Sequence, residues 1–200
     1  MAASPAHRLS GLLARYNGKV LRPPDAAPST TVPQLAVVQY LRRWCLDGAG
    51  PGCSPLLRPL SAPAIAQRLR IAVLEGDPPA ATRIANHLSL LLDGSLRLAE
   101  AGPAGRVALK LQTKLHDALW WRHLRDGDPW DCGWLQGSAT DLCAYSPRRP
   151  TLVVAKDLSA PTLQTLRERQ ANYAHAVRLL IVGQVPPNFP DSLPLSRWRL

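Results

Sequence analysis

The residues with the clearest chemistry are cations. Arg148 and Arg149 stand together in Ser146-Pro-Arg-Arg-Pro150, a turn sequence that presents both side chains at an exposed tip. Planar guanidinium forks bind phosphate oxygens in pairs, so two adjacent arginines on a tip suit a phosphate backbone. Lys156, Arg167 and Arg169 follow closely and extend the set. Arg97, Arg106 and Lys110 form a second set upstream. The chain carries 24 Lys and Arg against 14 Asp and Glu, a formal net charge of +10. That balance points to a polyanionic partner, DNA or RNA, bound with counterion release. A plainer account is an arginine-rich, GC-rich genome, since Arg outnumbers Lys and Ala, Pro, Leu and Gly abound.

The other reactive side chains make weaker patterns. Cys45, Cys53, Cys132 and Cys143 could be two halves of a zinc site, yet neither pair has the tight spacing that one ion demands. Buried thiols in a reducing compartment account for them as well. Trp120-Trp121 either stacks nucleobases or covers a core edge. His116 and His123 lie two helical turns apart, too far to share a metal unaided. Asp126, Asp128 and Asp131 read as turn chemistry, without the full calcium-loop pattern. The glycines of residues 47–52 are not followed by Gly-Lys-Ser/Thr, and no dinucleotide fingerprint or nucleophile elbow is present. No cofactor is expected; magnesium and zinc are the alternatives. The N-terminus has no apolar signal core and no run is long enough to span a membrane. The expectation is a bacterial cytoplasmic protein with no membrane contact.

The elements that must position these groups are read from periodicity. An apolar fraction of 46% supports a core. Residues 1–33 form a basic arm, with Leu9, Leu12, Leu13 and Tyr16 on a short amphipathic helix. Leu35, Val38, Leu41 and Cys45 predict a helix over 32–46. Ile65, Leu69 and Val73 predict a second helix, capped by Ser61 and running to Glu75. Asp77-Pro-Pro starts a third sharply. A segment over 91–101, a glycine turn at 102–106, and a strand or helix start at 107–111 follow. A helix over 109–125 has Leu111, Leu115, Ala118 and Leu119 on one face. Beyond an acidic turn, 134–140 opens a sheet. Asp141 to Val182 then reads as strand, turn, strand, helix, strand, with Leu152-Val-Val154 as a buried strand and Pro161 in the first turn of the helix. That order favours a right-handed crossover and parallel pairing. The tail, 186–200, is proline-rich and extended, ending in Arg197-Trp-Arg-Leu200.

The stretch from Asp141 to Val182 resembles the core of the restriction-endonuclease-like, or PD-(D/E)xK, nuclease superfamily. The resemblance places the strand aspartate at Asp141 and the lysine at Lys156. The intervening acidic position falls on Val154, which cannot bind a metal, and Gln170 and Tyr173 stand near a helical Gln and Tyr of the family, one residue too close. It implies either a core whose catalysis is lost, or a magnesium-dependent nuclease using Asp141 and Lys156 with Glu168 or Asp157 as a migrated carboxylate. Residues 61–111 are similar to a winged helix-turn-helix, which would make 91–101, with Arg97, the recognition helix, and Arg106 and Lys110 the wing. A plain helical bundle is the alternative.

The fold class expected is mixed α/β: a helical N-terminal half and a small C-terminal β-sheet with a crossover helix. The expected segments are a basic arm (1–33), a helical domain (34–125), a restriction-endonuclease-like core (126–185) and a tail (186–200). The expected function is non-catalytic nucleic-acid binding, as a subunit of a nucleoprotein assembly or a regulator on a mobile element, with other protein subunits as partners. A nuclease and a protein-binding adaptor are the alternatives.

Overall fold

The computed structural model describes residues 20–24, 31–47, 68–102, 105, 107, 111, 128–136, 138–145, 147, 149–156, 158–170, 173, 175–184 and 195–199. Eleven elements follow in order: β1 (Leu21–Arg22), α1 (Val32–Leu46), β2 (Leu69–Glu75), α2 (Pro78–Leu92), α3 (Ser95–Glu100), β3 (Asp131–Leu135), α4 (Ala139–Ala144), β4 (Thr151–Ala155), α5 (Ala160–Arg169), β5 (Val177–Val182) and β6 (Leu195–Arg199). The mixed α/β class is as the sequence predicts.

One six-stranded sheet takes the order β1-β3-β4-β5-β2-β6. β1 runs antiparallel to β3, and every other pairing is parallel. Each of the four segments expected from the sequence contributes at least one strand. The sheet therefore is not confined to the C-terminal part, and the arm and the tail both return to it.

The parallel strands are buried on both sides, and their alternate residues build two cores. Ile71, Val73, Val153, Leu179 and Ile181 face α4 and α5, meeting Leu142, Leu163 and Leu166. Ala72, Leu74, Val154, Leu180 and Val182 face α1 and α2, meeting Val38, Leu41, Ile84 and Leu88. Each fully buried Leu, Ile or Val contributes about 1.5–3 kcal/mol.

Local sequence fixes the helix starts. The Thr31 N–H donates to Gln34 Oε1 at 3.0 Å, and a proline follows in the first turn of α1. The Asp77 carboxylate accepts from the Ala80 N–H at 3.1 Å ahead of α2. Ser159 accepts from the Thr162 N–H at 3.4 Å at the start of α5.

Several expectations are corrected. Residues 69–75 are not the end of a helix but the strand between β5 and β6. The helix expected from Ser61 otherwise lies outside the described residues. Asp141 to Tyr145 is not a strand, because the Ser138 hydroxyl and the Asp141 carboxylate form a reciprocal cap that starts α4. The Arg148-Arg149 turn therefore joins a helix to a strand and is not a hairpin tip. Asp131, Cys132 and Gly133 belong to β3, not to an acidic turn. The segment expected over 91–101 divides at Asp93-Gly94 into the end of α2 and α3, with Gly94 at φ 83. Residues 105, 107 and 111 are helical. The tail is a paired strand: β6 aligns with β2 from Ile71↔Leu195 to Glu75↔Arg199. The N-terminal helix and most of 109–125 lie outside the described residues. Among the described residues, no helix is long and apolar enough to cross a membrane.

Candidate functional site

Parallel sheets of this kind offer two edges with different chemistry. Ligands usually bind outside the carboxyl ends of the strands, where helices leave to opposite faces. Here α2 leaves β2 on one face while α4 and α5 leave β3 and β4 on the other, so the change of face falls around β2 and β5, beside Gly76 (φ 135) and Gly183 (φ 131), whose N–H donates to Leu74 O at 3.1 Å. A phosphate there would need free N–H groups at the start of α2. The chain fills the position itself. The Asp77 carboxylate takes the Ala80 N–H, the Ala81 N–H donates to Asp77 O at 2.9 Å, and Pro78 and Pro79 have no N–H. Only Gly76 and Asp77 separate strand from helix. The positive end of the helix is met by the chain's own carboxylate.

Lys156 stands at this carboxyl edge, just beyond β4. Its Nζ lies 5.3 Å from the centroid of the Trp134 ring, and Trp134 Nε1 donates to Asn86 Oδ1 at 2.6 Å. Asp141 is in the first turn of α4, and its hydrogen bonds from Ser138 hold the carboxyl below the usual range. Glu168 is elsewhere. α5 runs back along the sheet for ten residues, roughly 15 Å, and Glu168 sits near its far end, accepting from Gln164 Nε2 at 3.1 Å. Asp141 and Lys156 therefore do not share an edge with Glu168. Gln170 and Tyr173 lie beyond α5 on that same far side, with Tyr173 buried and its hydroxyl pKa raised by burial. Asp157 lies outside the described residues. No three potential metal-ligating side chains come together among the described residues.

The amino edge of the sheet gathers the other cations. The Val177 N–H donates to Arg68 O at 2.7 Å, and the Thr151 N–H donates to Ala176 O at 2.9 Å. These bonds bring the entries to β2, β5 and β4 side by side, and with them Arg68, His175 and Arg149. The Thr151 hydroxyl donates to Arg149 O at 2.9 Å. The return of α5 adds Arg167 and Arg169 to this edge, where Arg169 Nη1 donates to Cys143 O at the end of α4. α3, with exposed Arg97 in its last turn, follows the end of α2. Of the residues expected to contact phosphate, Arg149, Arg167 and Arg169 share the amino edge and Lys156 lies opposite. Arg148, Arg106 and Lys110 lie outside the described residues, as does half of the +10 charge.

Family-model, curated-protein and solved-structure searches return no match.

Two further arginines explain how the edge is built. Arg70 and Arg178 are partners in the β2–β5 register and hold the carbonyl end of α1. Neither was legible as structural: Arg178 sits between Val177 and the apolar run Leu179-Leu-Ile-Val182. Beneath them Cys45 and Cys132 are buried thiols, with burial pushing Cys45 up to about 12 and Cys132 well above its ordinary value.

His175 is pushed down to about 4, first by burial and then by Arg68 and Arg149. The unfolded chain, with its histidine near 6.5, then binds more protons between pH 6.5 and 4. Stability falls as pH drops through that window and levels off below it. About 2 kcal/mol should be lost between pH 7 and 4.5. His175→Gln removes this component, so its urea midpoint should vary less than the wild type's. Parallel pH profiles would refute the assignment.

Proposed function

We propose that the protein is a non-catalytic nucleic-acid-binding subunit of a larger assembly, with the amino edge of its sheet against the phosphate backbone. The observation that carries this reading is the return of α5, which sets Arg167 and Arg169 beside the entry to β4 that bears Arg149. Guanidinium groups from separate segments then share one rim, as backbone contact requires. The self-capped start of α2 argues against nucleotide phosphate as the ligand at the opposite edge. The free thiols of Cys45, Cys132 and Cys143 favour a reducing compartment, the cytoplasm.

The test is fluorescence anisotropy with single- and double-stranded DNA and RNA across a salt series. Arg167→Ala with Arg169→Ala should weaken binding roughly tenfold and reduce the log–log salt slope by about 1–2. Lys156→Ala, at the other edge, should leave both unchanged. Equal effects from the two variants would refute the amino edge as the interface, and no binding at low salt would refute the function.

A further inference from the structure

Helix α1 is apolar on two sides. Val38, Leu41, Trp44 and Cys45 face the sheet and are buried. The opposite side is open: Val32 is 81% exposed, Tyr40 55%, Leu46 41% and Leu35 37%. At 3.6 residues per turn, Val32, Leu35, Ala36, Tyr40 and Leu46 fall on one arc with Gln39 and Arg43. A surface helix ordinarily turns polar residues outward, and exposed apolar side chains gathered on one arc mark an interaction site; here Gln39 and Arg43 interrupt the arc at its middle. The charges of α1 are Arg42 and Arg43, with no Asp or Glu from Val32 to Leu46. At the rim, Trp198 of β6 stacks on Tyr40 with centroids 6.0 Å apart. Its Nε1 is buried with no acceptor among the described residues.

We propose that the outer face of α1 docks an acidic amphipathic helix of a partner protein. Apolar side chains of such a helix lie along Val32, Leu35, Tyr40 and Leu46, and its carboxylates meet Arg42 and Arg43. α1 spans roughly 22 Å, enough for about four turns of a partner. A second copy of the chain would bring like charge to like charge. A nucleic acid would leave the apolar arc uncovered. The surface belongs to α1 and not to the amino edge, so it stands independently of nucleic-acid binding.

The test uses the full chain and a fluorescein-labelled peptide of about 18 residues, with leucines on one helical face and glutamates elsewhere. Controls are a scrambled peptide and one with lysine for glutamate. The peptide should bind saturably with a Kd of about micromolar, at least roughly tenfold tighter than either control. Leu35→Glu with Tyr40→Glu should weaken it roughly tenfold while nucleic-acid affinity stays unchanged. Because Tyr40 touches Trp198, Val32→Glu with Leu46→Glu provides a second variant clear of that contact and should weaken binding alike. Absent binding, binding equal to the controls, or binding indifferent to both variants overturns the proposal. Self-association or sedimentation with anionic vesicles that both variants abolish also overturns it, in favour of a second copy or a lipid surface.

Discussion

Arg178→Met should lower the unfolding free energy by about 3 kcal/mol, read from urea denaturation at neutral pH. Arg178 is 0% exposed, yet it sits in the central sheet. Its Nε donates to Cys45 O at 3.0 Å and its Nη2 to Asp47 O at 2.8 Å. Its Nη1 reaches Arg68 O at 3.4 Å and Val177 O at 3.3 Å. The last carbonyls of a helix lack partners within it and carry partial negative charge. Arg178 supplies donors and a cation to both needs at the end of α1. Arg70 assists from the neighbouring strand, donating to Asp47 O at 3.0 Å and to Asp47 Oδ2 at 2.8 Å. Burial lowers the Arg178 pKa to about 10, so the cation persists at neutral pH. Methionine fills much of the volume but leaves carbonyls without donors, at about 1–3 kcal/mol each. Arg178→Lys should fall between, because a point charge cannot serve carbonyls at several angles. A loss below about 0.5 kcal/mol for the methionine variant would show that these bonds contribute little net stability.

Gly133→Ala should cost about 2 kcal/mol and release β1. A Cβ at residue 133 would lie 2.5 Å from Arg22 O and 3.1 Å from both Arg22 C and Leu21 Cβ. Two of those atoms are backbone, which cannot swing aside as a side-chain tip would. β1 is held by Leu21↔Leu135, by Arg22↔Trp134 and by the Gln136 N–H donating to Val20 O at 3.0 Å. Its displacement also draws Val20 and Leu21 out of the core on the α4–α5 side. Limited thermolysin digestion should cleave before Leu21 much faster in the variant, and the Gln136 amide should exchange faster. Unchanged digestion and exchange would mean that β1 accommodates the methyl group.

Much of this architecture was legible where local and tertiary preferences agree. Leu152-Val-Val154 and Leu179-Leu-Ile-Val182 are short apolar runs around a proline-started helix, and they form β4, α5 and β5 in parallel register. Asp77-Pro-Pro starts α2 as its chemistry requires. Val38, Leu41 and Cys45 face inward as their spacing predicts, but Leu35, assigned to the same face, points outward. β2 was hidden because a strand buried on both faces has no alternation. Leu69 and Val73 also satisfy a spacing of four, so local pattern cannot choose between helix and strand. The choice is made by β5 and β6, far away in sequence. The signal for α4 was present as Ser138 and Asp141 three residues apart, and the resemblance to a nuclease strand masked it. The cations were legible by type but not by edge. Arg167 and Lys156 separate only because α5 carries the chain from one end of the strands to the other.

The position of β2 has a consequence for how the chain is made. It leaves the ribosome as a greasy, β-prone ribbon, and both strands that flank it, β5 and β6, are still unsynthesised. Its first neighbour emerges about a hundred residues later, which at about 5–20 residues per second is a wait of roughly 5–20 seconds. Throughout that interval Leu69–Glu75 must be shielded by transient collapse or by a chaperone. Synonymous codon changes that slow elongation between residues 76 and 177 should therefore lower soluble yield without altering the finished protein.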